Sequence, residues 1–212
     1  MQTNQFDLII IGAGCVGMAA AYYALKSGKK VCVVESQTIG STERYWSSSF
    51  SARQNRVQYN EEYLTRYVLE SNKEWKAVEE DLQPFNDLKR KFLSEEGALW
   101  FGDKNTSTSE GNIKAANAVI GMINSSARTK EERVESLYME KLMQGSPEFM
   151  RAFKPNDVPN SATSEWDTWS ALYQPNGGSV DMEASYLAFT NFVKTKGATV
   201  YDNSAVVDYK TT

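Results

Sequence analysis

Apolar residues run without interruption over Leu8–Ile11 and again over Val31–Val34. Such unbroken runs of about four residues, bounded by polar or glycine positions, are the pattern of strands buried on both faces of a parallel sheet. Between them, small and apolar residues at helical spacing predict a helix to about Ser27, with Gly28 placed to end it. After Glu35 the pattern breaks into a polar, serine-rich loop reaching Arg56, long enough to expect a functional role. Tyr63, Tyr67, Trp75 and Val78 then recur at helical spacing and predict a helix over Asn60–Asp81. Phe92–Phe101 reads as strand, glycine-containing turn and strand. Residues 112–145 carry two helical patterns, the second over EERVESLYMEKLMQG with Gly145 as its stop. Pro147, Pro155 and Pro159 mark an irregular stretch to about Ser164, followed by a strand at Trp169–Tyr173 and a turn at 175–178. An amphipathic helix over Met182–Lys196 ends at Gly197, and short strands are expected at Ala198–Tyr201 and Ala205–Tyr209.

The first strand–helix–strand unit encloses Gly12-Ala13-Gly14-Cys15-Val16-Gly17 and closes on Glu35, eighteen residues after Gly17. Each part has a physical task in binding the ADP half of a dinucleotide. Gly12 permits the tight turn out of the strand. Gly14 lets a pyrophosphate approach the backbone at the helix N-terminus, where free N–H groups and the dipole favour an anion. Gly17 allows helix and sheet to pack closely. Glu35 can accept hydrogen bonds from both ribose hydroxyls, and its charge disfavours a 2′-phosphate, so FAD or NAD is expected rather than NADP. Gly12, Gly14, Cys15, Val16, Gly17, Glu35 and Ser36 are therefore the candidate cofactor contacts.

The resulting sheet is incomplete. With Val31–Val34 on one side and Ala198–Tyr201 beyond it, Leu8–Ile11 keeps an open apolar edge of the kind proteins normally cover. We expect further polypeptide to complete the fold, either as a separate chain or as the remainder of a longer precursor.

Composition narrows the function classes. The 212 residues are 41% hydrophobic and 24% charged, with net charge −4 and no basic stripe, which argues against a nucleic-acid partner. The N-terminal apolar run is too short to span a bilayer and lacks a positive flank, so neither a signal peptide nor a membrane anchor is expected. Cys15 and Cys32, the only two cysteines, read as small core residues in a reducing, cytoplasmic setting. The chain has no histidine, which removes the commonest general base and any histidine-based metal site.

Beyond the nucleotide motif, an ordered set of stretches is distinctive: Ser51-Ala52-Arg53-Gln54-Asn55-Arg56, Gly97-Ala98-Leu99-Trp100-Phe101-Gly102, Asn176-Gly177-Gly178-Ser179-Val180-Asp181, Lys196-Gly197-Ala198-Thr199-Val200 and Ser204-Ala205-Val206. With these, the sequence resembles the N-terminal half of the FAD-dependent oxidoreductases of the D-amino-acid oxidase superfamily, nearest to its sarcosine oxidase-like and L-amino-acid oxidase-like members. The resemblance implies an α/β fold with a Rossmann-like FAD-binding βαβ sheet and an inserted α+β substrate domain. It places the cofactor domain at residues 1–80 and 180–212 and the substrate domain at 81–179. It further implies that Ser47, Ser48 and Ser49 meet the pyrophosphate or flavin, that Arg53 lies against the flavin ring, that Arg56 holds a substrate carboxylate, and that the backbone of Val206 meets the adenine.

Chemistry supports those arginine roles. A cation beside the ring stabilises reduced flavin, and a guanidinium grips a carboxylate bidentately. The implied activity is oxidation of the Cα–N bond of an amino acid or amine, with an L-amino acid as first expectation. Oxygen would reoxidise the flavin and yield hydrogen peroxide. Hydride loss from a neutral amine needs no protein base, so the missing histidine is no obstacle. Three alternatives stand beside this reading: a dehydrogenase of the same fold with another electron acceptor, a non-catalytic cofactor-binding subunit, and an NAD-linked reductase. A complementary C-terminal polypeptide is the expected partner.

Overall fold

A computed structural model describes residues 5–40, 53–103, 107–129, 133–134, 137–138 and 169–210. Its elements are β1 (Leu8–Ile11), α1 (Cys15–Lys26), β2 (Val31–Val34), β3 (Arg53–Asn55), α2 (Glu62–Leu82, continued by a single 3-10 turn at Gln83–Phe85), β4 (Leu93–Ser94), β5 (Ala98–Asp103), α3 (Ser107–Ser126), β6 (Leu137–Tyr138), β7 (Trp169–Gln174), β8 (Gly178–Val180), α4 (Met182–Thr195) and β9 (Thr199–Tyr201). The chain divides into one unit of residues 1–53, 75–93 and 180–212 and another of 54–74 and 94–179. A short sheet of order β3-β8-β4 accompanies the two larger sheets described below.

The first unit is built on a parallel sheet of order β1-β2-β9, as the apolar runs predict. Leu8 pairs with Val31 and Ile11 with Val34, while Cys32 pairs with Thr199 and Val34 with Tyr201. One face carries Ile10, Val31, Val33 and Val200 into a core completed by Met18, Ala21 and Tyr22 of α1 and by Ala188, Phe189, Phe192 and Val193 of α4. Aromatic edges lock this core, with Tyr22 packed perpendicular to Phe189 at 5.4 Å. The buried Tyr22 hydroxyl finds a partner by donating to Asp81 Oδ2 at 2.6 Å. Hydrogen bonds from Tyr22 and Lys26 hold the Asp81 carboxyl below its usual range. Asp181 caps α4, its Oδ1 accepting from the Ala184 N–H at 2.9 Å, and Gly197 follows the helix at φ +83°.

The second unit holds an antiparallel sheet of order β5-β7-β6, with Ala98 opposite Gln174 and Leu137 opposite Tyr173. Ile113, Ala116, Val119, Ile120 and Ile123 of α3 bury against Val57, Val134 and Leu172. Two buried amides tie loop to sheet: Gln58 Nε2 donates to Leu172 O at 2.8 Å, and Gln174 Oε1 accepts from the Val57 N–H at 2.8 Å.

Two expected elements differ. Leu137–Tyr138 lies in the second predicted helix of residues 112–145 yet forms strand β6. Both residues suit a pleated ladder, and just before them Asn124 clamps Val134 through its N–H (2.7 Å) and its carbonyl (2.9 Å). Tertiary pairing there outweighs local helical spacing. Ala205–Tyr209 is not a strand; Val207 and Tyr209 are exposed, and among the described residues no strand pairs with this segment. An extended segment without a partner gains no ladder bonds to offset its ordering entropy. The serine stretch Ser47–Ser49 and the predicted irregular segment at 147–164 lie outside the described residues.

Among the described residues no helix is long and apolar enough to cross a membrane. No group of three or more histidine, cysteine or acidic side chains there could hold a metal ion.

Candidate functional site

Within the first unit, β1 ends in a turn whose conformation only glycine adopts easily: Gly12 has φ +98°. Its N–H donates to Val34 O at 2.8 Å, which anchors the turn to the end of β2. Gly14 is the N-cap of α1 in an extended conformation, and no side chain caps that helix end. Gly14 offers the first amides of α1 no side-chain acceptor, and the first turn has no acidic residue to occupy them. A Cβ built on Gly14 would meet no atom of the described residues within 4 Å, so none of them fills the space in front of this helix end. Gly17 differs. A Cβ there would stand 2.0 Å from Gly12 O and 3.2 Å from Ile10, so its bare backbone lets α1 rest on β1.

Glu35 is fixed beside this turn. Its Oε2 accepts from the Ala13 N–H at 2.7 Å, and its Oε1 accepts from Ser36 Oγ and the Gln37 N–H, each at 2.9 Å. Burial alone would raise its pKa, but these donors outweigh it and hold the carboxyl below the ordinary glutamate value. A carboxylate offers about four lone-pair positions, so acceptor capacity remains for hydroxyl donors. The segment after β9 runs along the same turn: Ser204 donates its N–H to Glu35 O at 2.8 Å, two residues before Val206, which is exposed. Val16, in the first turn of α1, is 85% exposed, whereas Cys15 is half-buried against Leu93, Val180 and Met182.

The structure thus brings Gly12, Gly14, Cys15, Val16, Gly17, Glu35 and Ser36 together at one sheet end, with the segment leading to Val206 alongside. An uncapped helix N-terminus, space at Gly14 that no described residue fills and a pinned carboxylate fit a diphosphate joined to a ribose. One contributor was not foreseen: Tyr186 of α4 donates its hydroxyl to Ala13 O at 2.8 Å. Burial pushes that phenol well above its ordinary value, so it stays a donor. The only sequence signal was a tyrosine on a core-facing helix stripe, where a buried hydroxyl must find an acceptor.

Arg53 is half-buried in β3. Arg56 belongs to the second unit, where its guanidinium lies 4.6 Å from the Tyr59 ring and 4.8 Å from the Trp100 ring and donates to Gln58 O. Aromatic faces hold a guanidinium in place while leaving outward N–H groups able to donate. Tyr59 gave no periodic signal because it lies in irregular backbone before α2.

Comparison with known proteins agrees with this geometry. The family model described as FAD dependent oxidoreductase matches residues 7–212. The chain is 28% identical to a monomeric sarcosine oxidase of Bacillus sp. (strain NS-129) over 99% of its own length and 46% of that protein. Among solved structures it superposes on NikD, an unusual amino acid oxidase essential for nikkomycin biosynthesis, with TM-score 0.71 and 26% identity, covering 95% of this chain and 44% of that one. Glycine oxidase from Geobacillus kaustophilus shares the fold at TM-score 0.69 and 19% identity, covering 97% of this chain and 49% of that one. The chain spans about half the length of the relatives it matches.

Proposed function

Because the chain belongs to the FAD dependent oxidoreductase family, whose cofactor is FAD, we propose that it forms the cofactor-holding half of an enzyme oxidising the Cα–N bond of an amino acid or amine. The single observation that carries this reading is the uncapped, glycine-lined N-terminus of α1 with Glu35 pinned beside it. In it, the α1 amides and the turn at Gly12 and Gly14 hold the pyrophosphate, and Cys15, Val16 and Ser36 line it. Glu35 accepts from the adenosine ribose, and the Val206 backbone meets the adenine. Ser47, Ser48 and Ser49 add contacts toward the flavin, and Arg53 sets a positive charge against the ring.

Arg56, held by Tyr59 and Trp100, grips the substrate carboxylate. Bidentate recognition of this kind favours amino acids over simple amines, in keeping with relatives named for sarcosine, glycine and amino acid oxidation. An L-amino acid is the first substrate class to test, with N-methyl amino acids next. FAD, when bound, supplies the redox chemistry, taking a hydride from the substrate and passing its electrons to oxygen to give hydrogen peroxide. The oxidised imine then hydrolyses to an oxo acid and ammonia or an amine. The chain spans about half the length of the relatives it matches, and the reading includes a complementary C-terminal half alongside it.

The test uses the protein purified from its own cells. We expect an oxidised-flavin absorption band, bleached anaerobically by an amino acid, with peroxide formed in step with substrate on readmitting air. Bleaching without peroxide would replace the oxidase with a dehydrogenase. Flavin that no amino acid or amine bleaches would reduce the chain to a cofactor-binding subunit, and absence of flavin would overturn the reading.

A further inference from the structure

Arg56–Tyr59 is irregular backbone, yet its middle is buried: Val57 is 1% exposed and Gln58 0%, while Arg56 and Tyr59 are half-buried. Buried backbone outside a ladder must find other partners. Here side chains supply most of them. The Val57 N–H donates to Gln174 Oε1 at 2.8 Å, and Val57 O accepts from Thr65 Oγ1 and the Tyr59 N–H, each at 2.9 Å. Gln58 spends its side-chain amide on two sheet carbonyls, Ala98 O (3.2 Å) and Leu172 O (2.8 Å). Gln174 is itself oriented, its Nε2 donating to Asn176 Oδ1 at 3.2 Å. Ala98 pairs with Gln174 and Trp100 with Leu172 across β5 and β7. The strands that hold the loop backbone therefore also carry the ring against which the Arg56 guanidinium lies.

This network is costly for a device that only adds stability. Gln58 Oε1 is buried and has no hydrogen-bond partner among the described residues. A buried acceptor left unpaired is destabilising, and an apolar side chain of the same shape would avoid that cost. Polar networks of this kind fix one arrangement of the groups they hold. We propose that Gln58, Thr65 and Gln174 are positioning residues that set the Arg56 guanidinium for a substrate carboxylate. The inference rests on the functional reading above, in which Arg56 grips that carboxylate. Gln58 O engages Nη1, and among the described residues nothing accepts from Nε or Nη2. The Nε–Nη2 edge is thus the fork left for bidentate recognition, and such a grip tolerates little displacement.

Gln58→Met, Gln174→Met and Thr65→Val, introduced in the native cells, test this in the purified enzyme. Each roughly keeps side-chain shape and removes hydrogen bonds. The readouts are the dissociation constant of acetate, a carboxylate with no amino group, titrated against the flavin absorbance, and KM and kcat for an amino acid that bleaches the flavin. Both glutamine variants should raise the acetate constant and KM about tenfold, with kcat within about threefold of wild type and flavin content unchanged. Thr65→Val should raise them about threefold, because Val57 O keeps the Tyr59 N–H, and Thr65→Ser should restore wild-type values. This last pair carries the test if a methionine variant fails to fold. Ile120→Ala, in the same core but outside the network, should lower the melting temperature and leave both constants unchanged. Wild-type constants in the folded glutamine variants and Thr65→Val, or an equal rise in Ile120→Ala, would overturn the proposal. Arg56→Lys on the same material separates the two readings. Weaker acetate binding there, with wild-type binding in the network variants, defeats the positioning roles alone. Unchanged acetate binding in Arg56→Lys, or a wild type that binds no acetate and is bleached by no amino acid, defeats the reading of Arg56 itself.

Discussion

Gly14 and Gly17 sit three residues apart, yet their substitution by alanine should act on different properties. At Gly14 the backbone (φ −67°, ψ −179°) suits any residue, and an added Cβ meets no atom of the described residues within 4 Å. Loss of a glycine's unfolded-state freedom stabilises by roughly 0.4–1 kcal/mol. Alanine is a poorer N-cap than glycine by a similar amount, so the two nearly cancel. The ligand-free chain should therefore unfold at the same urea concentration as wild type, within about 0.5 kcal/mol. FAD binding should suffer instead. A methyl placed where the pyrophosphate must approach the backbone costs about 1–3 kcal/mol by analogy with an overfilled core, or roughly 5- to 150-fold in affinity.

Gly17→Ala reverses the pattern. Its Cβ would lie 2.0 Å from Gly12 O, far inside van der Waals contact, so α1 must lift off β1. That should destabilise the ligand-free chain by about 1–3 kcal/mol, whatever is bound. Urea unfolding and titration of FAD followed by flavin fluorescence measure the two quantities separately. Wild-type FAD affinity in Gly14→Ala would refute the assignment of a diphosphate to this turn. Equal destabilisation by both substitutions would show that the space before α1 is not open.

The remaining substitutions address the carboxylate, the tyrosine and the arginine. With three protein donors already on its carboxylate, Glu35 keeps about one acceptor position for a ribose hydroxyl. Glu35→Gln exchanges that charge-assisted bond for a neutral one, about 1 kcal/mol, so FAD should bind roughly 5-fold more weakly by isothermal titration. Because the folded-state pKa of Glu35 lies below its unfolded value, its contribution to stability is complete above about pH 4.3 and disappears as pH falls through the folded value. A pH series of urea midpoints should show that acid loss reduced in Glu35→Gln. Tyr186→Phe leaves the Ala13 carbonyl without its 2.8 Å donor and should cost about 1 kcal/mol in unfolding free energy. An unchanged midpoint would mean that water replaces the hydroxyl. Arg56→Lys keeps the charge but loses the planar fork between Tyr59 and Trp100. In the complete enzyme it should raise KM for a carboxylate-bearing substrate about tenfold or more while leaving flavin content unchanged; equal KM values would remove Arg56 from substrate binding.

The sequence by itself determined the features that local chemistry and short spacing control. Unbroken apolar runs named β1 and β2, and glycines at 12, 14 and 17 with an acid at 35 defined the turn between them. These residues lie within thirty-five positions of one another, so few alternative arrangements satisfy them. The parallel order β1-β2-β9 and the exposed β1 edge also followed, because fully apolar strands have few stable places to lie. Only the tertiary structure decided that Leu137–Tyr138 pairs as β6 and that Ala205–Tyr209 stays unpaired, since a strand exists by virtue of its neighbour. It alone joined Tyr186 to Ala13, 173 residues away, and set Arg56 between two rings. Contacts of that range leave no periodic mark on the chain; they arise where packing brings a buried hydroxyl or a guanidinium within reach of a partner.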